Sequence, residues 1–487
     1  MALKASPNRL DPAFAVDVGE GEICTLLYQS LVRFSPRGEL IPDAARDWSI
    51  EDSGRRYVFH LDRRASFTSG QRVTAADVVF SFTRVLSPEE ASPRRWVLDR
   101  IRGADAFVNG AGGVDGLSAP DDSTVVIELA SPFRPFLSML AMPAAMIVRE
   151  GSVDAGAPAG QPIGSGRWQL ARWERADYLS LVPNPHHPRP ISGLSELRFR
   201  IITEPFTRIA EFESGGLDVL EIPPVELPRF RSDPKTAGRI QDRSELRVYY
   251  IGLNNTRGPL RDPRVRRALN MSVDVDRLID VLAGGEALRA SGSIPPGLPG
   301  FVERDPWNYD PAAARRLLAE AGYPDGFALE IWQRQSREGN RFLEAIQGYL
   351  LQCGVQVKLV RREWSAFKQA ASSGKIDAFF LDWVADYPDA ENFLYPLFHT
   401  ANAGGGGNRV FFSNPEVDAL IEKASRTVDA ARCAELYARV DSLVYDQAPW
   451  LYLFFPRTSH VVSERVRGYQ LPSLYLGADY STVSLLN

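Results

Sequence analysis

Histidines and cysteines are the residues of this sequence most able to carry metal or nucleophilic chemistry. The five histidines form no HExxH pattern, and the only adjacent pair, His186-His187, lies in the proline-rich segment NPHHPRP. Neighbouring residues of a helix or strand point in different directions, so the pair is poorly spaced for a metal and is predicted to lie in a solvated turn. Cys24, Cys353 and Cys433 show no CxxC spacing. They are expected to be buried, inert thiols, although their positions leave one long-range disulfide open.

No catalytic signature accompanies these residues. The sequence contains no GxSxG elbow, no Walker loop and no GxGxxG fingerprint. Its one run of glycines, AGGGG at 403–407, is followed by neither Lys-Ser nor Lys-Thr and is predicted to be a loop rather than a phosphate cradle. We therefore expect no enzyme, with no catalytic residue, no metal site and no cofactor.

Length and composition place the chain among ordinary globular proteins. Its 487 residues suggest about three domains of ~150 residues each. The net charge of −5 disfavours a nucleic-acid surface, which requires a basic stripe. No stretch approaches the ~18–20 apolar residues that cross a bilayer. Residues 1–8 lack a basic segment followed by an apolar run, and we expect the natural export signal to lie outside this sequence.

Apolar spacing and capping residues predict a mixed α/β chain. The predicted strands, rich in β-branched and aromatic residues, are Tyr57–Leu61, Ser123–Leu129, Leu197–Ile202 and Arg247–Asn254. Predicted helices begin after the capping residues Thr74, Asp262, Asp310 and Asn414, the last three of which precede proline. From residue 328 to residue 383 strands and helices alternate, which favours a parallel sheet covered on both faces.

Six regions, in order along the chain, resemble the extracytoplasmic solute-binding proteins of the oligopeptide/dipeptide/nickel ABC-transporter class (family 5). The family's most distinctive signature is matched by FTSGQRVTAADVVFS at 67–81. The other matching stretches are LDP at 10–12 with LYQSLV at 27–32 and GELIP at 38–42, PIGSGRW at 162–168, LNN at 253–255 with DPRVRRAL at 262–269, LLAEAGYPDG at 317–326 and DWVADYPDAENF at 382–393.

The resemblance implies an α/β fold of the periplasmic-binding-protein type II-like kind, a two-lobed clamp (cluster C) with an extra domain inserted in the first lobe. The expected bounds are residues 1–27, 163–249 and 457–487 for lobe one, 28–162 for the inserted domain and 250–456 for lobe two. The chain crossings near 248–255 and 453–457 would then be hinge strands.

The same resemblance implies the substrate-binding component of an ABC importer, which captures an extended short peptide in a closing cleft and delivers it to a membrane permease and its ATPase. A buried peptide needs partners for its backbone N–H and C=O groups, and strand addition supplies them with little dependence on side chains. We expect a monomer in the periplasm or another extracytoplasmic location, and lipid anchoring of the full-length form stays open. Three alternatives stay open: a non-peptide ligand (nickel chelate, haem, oligosaccharide or opine), the ligand-sensing domain of a regulator, and an enzyme on this scaffold, for which the sequence offers no catalytic group.

Site residues follow from the resemblance position by position. Asp386 matches the aspartate that pairs with the peptide amine, although it could instead cap the turn that follows it. Trp383 and Trp364 match aromatic residues of the side-chain pockets. Four residues lie on the predicted hinge strand, where some should face the ligand and where core packing is the competing role: Tyr249, Tyr250, Asn254 and Asn255.

One position departs from the pattern of the oligopeptide receptors. Some of them carry an arginine three residues before the tryptophan of the last motif, where it meets the ligand carboxylate, and this sequence has Phe380 there. A carboxylate partner must therefore come from elsewhere, and the candidates are Arg334, Arg337 and Arg341. Otherwise the ligand has no carboxylate, or its carboxylate stays hydrated.

Overall fold

A computed structural model describes residues 1–152, 162–189, 191, 193–334 and 338–486. The strands within this part of the chain are β1 Ala2–Leu3, β2 Val32–Phe34, β3 Leu40–Pro42, β4 Ala45–Glu51, β5 Arg56–Leu61, β6 Leu117–Asp121, β7 Thr124–Glu128, β8 Trp168–Glu174, β9 Tyr178–Pro183, β10 Leu197–Ile201, β11 Val219–Glu221, β12 Ile240–Ser244, β13 Arg247–Leu253, β14 Ala287–Arg289, β15 Phe327–Arg334, β16 Val355–Arg362, β17 Ala378–Val384, β18 Trp450–Val462, β19 Val466–Arg467 and β20 Ser484–Leu485. The helices are α1 Val18–Leu27, α2 Ala75–Leu86, α3 Ala104–Val108, α4 Phe136–Met139, α5 Pro205–Glu213, α6 Leu227–Ser232, α7 Pro263–Met271, α8 Val275–Leu282, α9 Pro311–Glu320, α10 Glu338–Gln352, α11 Trp364–Ser372, α12 Glu391–Phe398, α13 Pro415–Arg426 and α14 Ala430–Gln447. None of the helices described is both long enough and apolar enough to span a membrane.

The chain divides into two units, each with its own buried core. The first unit comprises Met1–Pro223, Arg229–Arg243 and Ser459–Asn487, and the second comprises Pro224–Pro228 and Ser244–Thr458. The bounds expected for lobe one, the inserted domain and lobe two stay a prediction.

Two four-stranded sheets form the framework of the first unit. Their strand orders are β1-β10-β9-β8 and β4-β5-β7-β6. Strand β5 alternates buried and partly buried residues, with Tyr57, Phe59 and Leu61 pointing inward, because successive side chains of a strand face opposite sides. Helix α2 begins where the sequence predicted, since the Asp77 carboxylate accepts from both Thr74 N, at 2.8 Å, and Thr74 Oγ1, at 2.7 Å.

One larger sheet organises the second unit. Its central strands run in the order β18-β13-β17-β15-β16, and helices cover both faces with separate apolar clusters. The alternation of strand and helix after residue 328 is confirmed, and the strands of that segment are parallel as predicted, but the sheet as a whole is mixed. Strands β16, β15 and β17 are parallel, whereas β13 is antiparallel to both of its neighbours, β17 and β18. The reason is that β13 and β18 come from outside the alternating segment, so no crossover helix dictates their direction.

Arg266 ties three segments of the second unit together. It is 3% exposed and makes five hydrogen bonds to backbone carbonyl oxygens. One is to Leu260 O at 2.7 Å, and others reach Gln447 O at 2.6 Å and Ala448 O at 3.2 Å, at the end of α14. The last carbonyls of a helix have no partner within the helix, and this guanidinium supplies one. Burial lowers the pKa of Arg266 to about 10, which still leaves it charged at neutral pH.

We expect Arg266→Met to lower the free energy of unfolding by about 3 kcal/mol, because several buried carbonyls lose their donor. The neighbouring Arg267 is half-buried and, within the described ranges, makes one hydrogen bond, to Asp446 O at 2.8 Å, so Arg267→Met should cost under about 1 kcal/mol. Urea denaturation of both variants measures the difference. Equal effects would show that the buried network of Arg266 is energetically unimportant.

Candidate functional site

The ends of four strands meet at one edge of the sheet in the second unit. Parallel strands β15, β16 and β17 end there at Arg334, Arg362 and Val384, and antiparallel β13 begins there, with Arg247 opposite Val384. We call this the carboxyl edge. In open α/β sheets, ligands bind beyond the carboxyl ends of the strands, so this edge is the first place to look for a site.

Most of the predicted ligand residues lie at the carboxyl edge. Trp383 is near the end of β17 and Asp386 follows it, Arg334 ends β15, and Trp364 opens α11 directly after β16. Tyr249 lies on β13, two residues inside the edge. Arg341 is exposed in the first turns of α10, the helix that follows β15. Arg337 lies outside the described residues.

The structure places three predicted residues elsewhere. Asn254 and Asn255 follow the far end of β13, where Asn254 Nδ2 donates to Ile376 O at 3.1 Å and Asn255 Nδ2 donates to Val410 O at 3.0 Å. Tyr250 is buried in the core, where its ring stacks on Trp450 with centroids 3.7 Å apart. All three hold the unit together in this arrangement, and we do not carry them into the proposed site.

The two tryptophans differ in how firmly they are held. Trp383 packs partly against the core, and its buried Nε1 has no hydrogen-bond partner among the residues described. Trp364 is 40% exposed, stacks on Phe367 with centroids 5.5 Å apart and has the Lys368 ammonium 5.1 Å from its ring. Trp383 is held by packing, whereas the ring of Trp364 is partly exposed to solvent.

Asp386 lies in the turn that connects β17 to α12. It is half-buried, and its backbone N–H donates to Asn392 Oδ1 at 2.9 Å. The first turn of α12 is held by another carboxylate, since Asp389 Oδ1 accepts from Glu391 N at 2.9 Å. The bond to Asn392 holds the backbone N–H of Asp386, and the Asp389 bond holds the first turn of the helix that follows.

A group of charges at the carboxyl edge was not among the residues predicted from the sequence. The guanidinium of Arg247 lies 3.1 Å from Glu245 and 3.8 Å from Asp382, and it donates to the Tyr249 hydroxyl at 3.3 Å. Burial opposes its charge, but Glu245, Tyr249 and Asp382 outweigh that cost and raise the pKa of Arg247. Glu245 and Tyr249 lie two residues to either side of Arg247 in the sequence, whereas Asp382 joins the group only through the pairing of β13 with β17.

Within the described residues, one side of β17 has no strand paired with it near the carboxyl edge. In the antiparallel pairing with β13, only alternate residues hydrogen-bond to the partner strand, and Ala385 N donating to Leu246 O sets the phase. Asp382 and Val384 therefore direct their N–H and C=O groups away from β13. On that side, the described pairing with β15 stops at Trp332 opposite Phe379. An extended ligand could add as a strand here.

Gln333 is a buried amide that the sequence analysis missed. It lies on β15, one residue before the edge, and is 1% exposed. Neither its Oε1 nor its Nε2 has a hydrogen-bond partner within the described part of the chain. The signal in the sequence was a polar residue on a strand face whose other residues are apolar.

The structure agrees with the cysteine prediction and with only part of the histidine prediction. His186 is exposed, but the solvated turn is wrong for His187, which is 4% exposed because the fold packs it into the first unit. Burial is the main cause that lowers the pKa of His187 to about 4. All three cysteines are buried and none is in a disulfide.

Comparison with known proteins identifies the class to which this fold and edge belong. The sequence profile described as "Bacterial extracellular solute-binding proteins, family 5 Middle" matches residues 39–405. The chain belongs to this family, whose members are the solute-binding proteins of ABC importers and not enzymes. The predicted family and fold class are thereby confirmed.

Named relatives cover nearly the whole chain. Heme-binding protein A of Haemophilus influenzae is 30% identical over 91% of this chain and 84% of its own length. The dipeptide-binding protein of Escherichia coli is 29% identical over 92% of this chain and 87% of its own. The structure of the Escherichia coli murein tripeptide binding protein MppA superposes with a TM-score of 0.84 at 26% identity, covering all of this chain and 98% of that one.

We expect Gln333→Leu to raise the free energy of unfolding of the ligand-free protein by about 1–3 kcal/mol, because it removes a buried amide with no partner. A matched control is Gln347→Leu, which removes the bond from Gln347 Nε2 to Val357 O at 2.8 Å and should lower stability by about 1 kcal/mol. Urea denaturation distinguishes the two. Destabilisation by both variants would mean that Gln333 has a partner.

Proposed function

We propose that this protein is the periplasmic substrate-binding component of an ABC importer and captures short, extended peptides for a membrane permease and its ATPase. Membership in the family supports the transport role, and relatives named for dipeptide and murein tripeptide binding support a peptide ligand. The relative named for heme binding makes a non-peptide ligand the second candidate.

The open backbone side of β17 is the observation that carries the peptide proposal. A bound peptide exposes N–H and C=O groups at every residue, and each one buried without a partner costs about 1–3 kcal/mol. Asp382 and Val384 supply two such groups each on the side away from β13. A peptide that pairs with them gains backbone bonds whatever its side chains are, which suits an importer of varied peptides.

Asp386 is our proposed partner for the peptide amine. It follows β17 directly, so a peptide paired with the end of that strand would bring its terminal ammonium close to this carboxylate. A charge-assisted bond of this kind would set the register of the peptide on the strand. Trp383 and Trp364 would then line the pockets for its side chains, with a rigid apolar surface and little entropy to lose.

The carboxylate of a bound peptide would need a cationic partner at a position other than 380. Phe380 stacks on Tyr249 with centroids 6.0 Å apart and offers no charge. Arg334 and Arg341 are both exposed, at the end of β15 and in the first turns of α10. We propose that one of them meets the carboxylate, and Arg337, from the segment between them, stays a further candidate.

Native mass spectrometry of freshly purified protein tests the ligand class. Adducts in the mass range of short peptides, lost on denaturation, are the expected result. A single adduct with the mass of haem or another non-peptide compound would contradict the peptide proposal while leaving the transport role intact. Protein without adducts is titrated with di-, tri- and tetrapeptides and with haemin by calorimetry, and binding of haemin alone would have the same meaning.

We expect Asp386→Asn to weaken binding of a peptide with a free amine roughly tenfold to a hundredfold, because a charge-assisted bond is worth about 1.5–3 kcal/mol. An N-acetylated peptide should bind the wild type about as weakly and lose little more in the variant. Asp377→Asn is the matched control, since Asp377 precedes β17 at its other end and pairs with Arg257 at 2.7 Å. Equal losses for free and acetylated peptides would remove Asp386 from the role of amine partner.

A further inference from the structure

Two carboxylates at the carboxyl edge, those of Glu245 and Asp382, are mostly buried and accept no hydrogen bond within the described part of the chain. Each side chain is 20% exposed. Their close cation is Arg247, whose Nε lies 3.1 Å from Glu245 Oε2 without hydrogen-bond geometry. Its Nη1 lies 3.8 Å from Asp382 Oδ2, beyond hydrogen-bond distance. Buried carboxylates normally accept several hydrogen bonds, so these two keep unused acceptor capacity.

Asp382 is the less compensated of the two carboxylates. The guanidinium of Arg247 lies closer to Glu245, and its one hydrogen bond among the residues described goes to the Tyr249 hydroxyl at 3.3 Å. Two carboxylates and one guanidinium leave a surplus of one negative charge, which is strongest at the carboxylate farther from the cation. This surplus attracts a positive group to Asp382.

Other arginines near the ends of the strands do not offset that charge. Arg334 and Arg362, which end β15 and β16, lie on the opposite face of the sheet, since side chains alternate along each strand. Arg361 shares the face of Asp382 but is paired with Glu344 at 3.3 Å. The surplus at Asp382 is thus left for a ligand.

The peptide strand proposed above brings one ligand side chain next to Asp382. Its amine lies at Asp386, beyond the end of β17, so a peptide that pairs with β17 runs antiparallel to it. Directly opposite residues of antiparallel strands share a face of the sheet, with Cβ atoms about 4.5–5.5 Å apart. Asp382 and Val384 both direct backbone groups toward the peptide, so a first residue opposite Val384 places the third residue opposite Asp382. The side chain of that third residue lies on the face of the Asp382 carboxylate.

The residues around Asp382 suit the stem of a long cationic side chain. Tyr249 lies directly opposite it on β13, and Phe380 lies two residues before it on the same face. Both are half-buried, and their rings stack with centroids 6.0 Å apart. Lysine and arginine lay their methylene stems on apolar surface while the charged head keeps a polar partner. The rings and the carboxylate together match both parts of such a side chain.

We propose that Asp382 makes the site selective for peptides with lysine or arginine as the third residue, an inference that rests on the proposed peptide function and narrows its substrate class. The cationic side chain donates to the Asp382 carboxylate, which gains a counter-charge and hydrogen bonds in one contact. Glu245 acts as a positioning residue, because it holds Arg247 away from Asp382. Without Glu245, the guanidinium would pair with Asp382 and remove the surplus.

Calorimetric titration with the tetrapeptides Ala-Ala-X-Ala measures this selectivity, where X is lysine, norleucine or glutamate. Norleucine keeps the methylene stem of lysine and lacks its charge. We expect the lysine peptide to bind roughly tenfold more tightly than the norleucine peptide, and the glutamate peptide to bind roughly tenfold more weakly. In Ala-X-Ala-Ala the variable side chain faces the other side of the sheet, so lysine there should gain under about threefold. Equal affinities for lysine and norleucine at position 3, or an equal lysine preference at positions 2 and 3, would overturn the proposal.

Three variants assign the selectivity to individual carboxylates. Asp382→Asn should reduce the preference for lysine over norleucine from roughly tenfold to under about threefold, and Glu245→Gln should reduce it as well. Asp377→Asn removes the same charge at the other end of β17 and should keep the preference. The ratio is measured within each variant, so a general loss of affinity cancels. An unchanged ratio in Asp382→Asn, or an equal fall in Asp377→Asn, would contradict the role of Asp382.

Failure of this selectivity and failure of the peptide function give different results. Tetrapeptides that bind without preferring lysine contradict the role of Asp382 alone, whereas no binding by any of them contradicts the peptide function and the selectivity with it. Asp386→Asn should weaken the lysine and norleucine peptides by the same factor. A lysine preference lost in Asp386→Asn would place the side chain at Asp386 and overturn the role of Asp382. If Asp382→Asn does not fold, the peptide series on the wild type still decides.

Discussion

The pairing of β13 with β17 is the interaction on which the second unit depends. Seven residue pairs, from Arg247 opposite Val384 to Leu253 opposite Ala378, join the segment entering the unit to its parallel strands. One face of this ladder carries Tyr250 and Phe379 into one core, and the other carries Ile251 into a second core. A one-residue slip would exchange these faces, so the two cores together specify the register.

The same register creates the candidate site. Because only alternate residues of β17 bond to β13, the others must find partners on the far side, and among the residues described β15 pairs with them only as far as Phe379. Beyond that point the described part of the chain shows a packed face and no strand paired on the far side. Stability and binding thus use different atoms of one strand, and a peptide could pair there without disturbing the core.

Local signals in the sequence were enough to predict elements, but not contacts. Capping at Thr74 and at the three Asx-Pro pairs placed helix starts correctly, because a cap and its helix are adjacent in the chain. The burial of His187 and of the Gln333 amide, and the approach of Asp382 to Arg247, depend on segments distant in sequence. The resemblance predicts Asn254 and Asn255 on the hinge strand, but they follow the end of β13 opposite the carboxyl edge, which only the register of the sheet reveals.

The charges on the sheet face that carries Phe380 account for the lack of an arginine at that position. Arg247 lies on the same face, and both Glu245 and Asp382 approach it, so two carboxylates meet one guanidinium there. The surplus is negative, which suits an ammonium and repels a carboxylate. An arginine at 380 would cancel that surplus and would lie among the rings of Tyr249 and Phe454. With phenylalanine there, our proposal separates amine recognition from carboxylate recognition and assigns the cation for a peptide carboxylate to the side of β15.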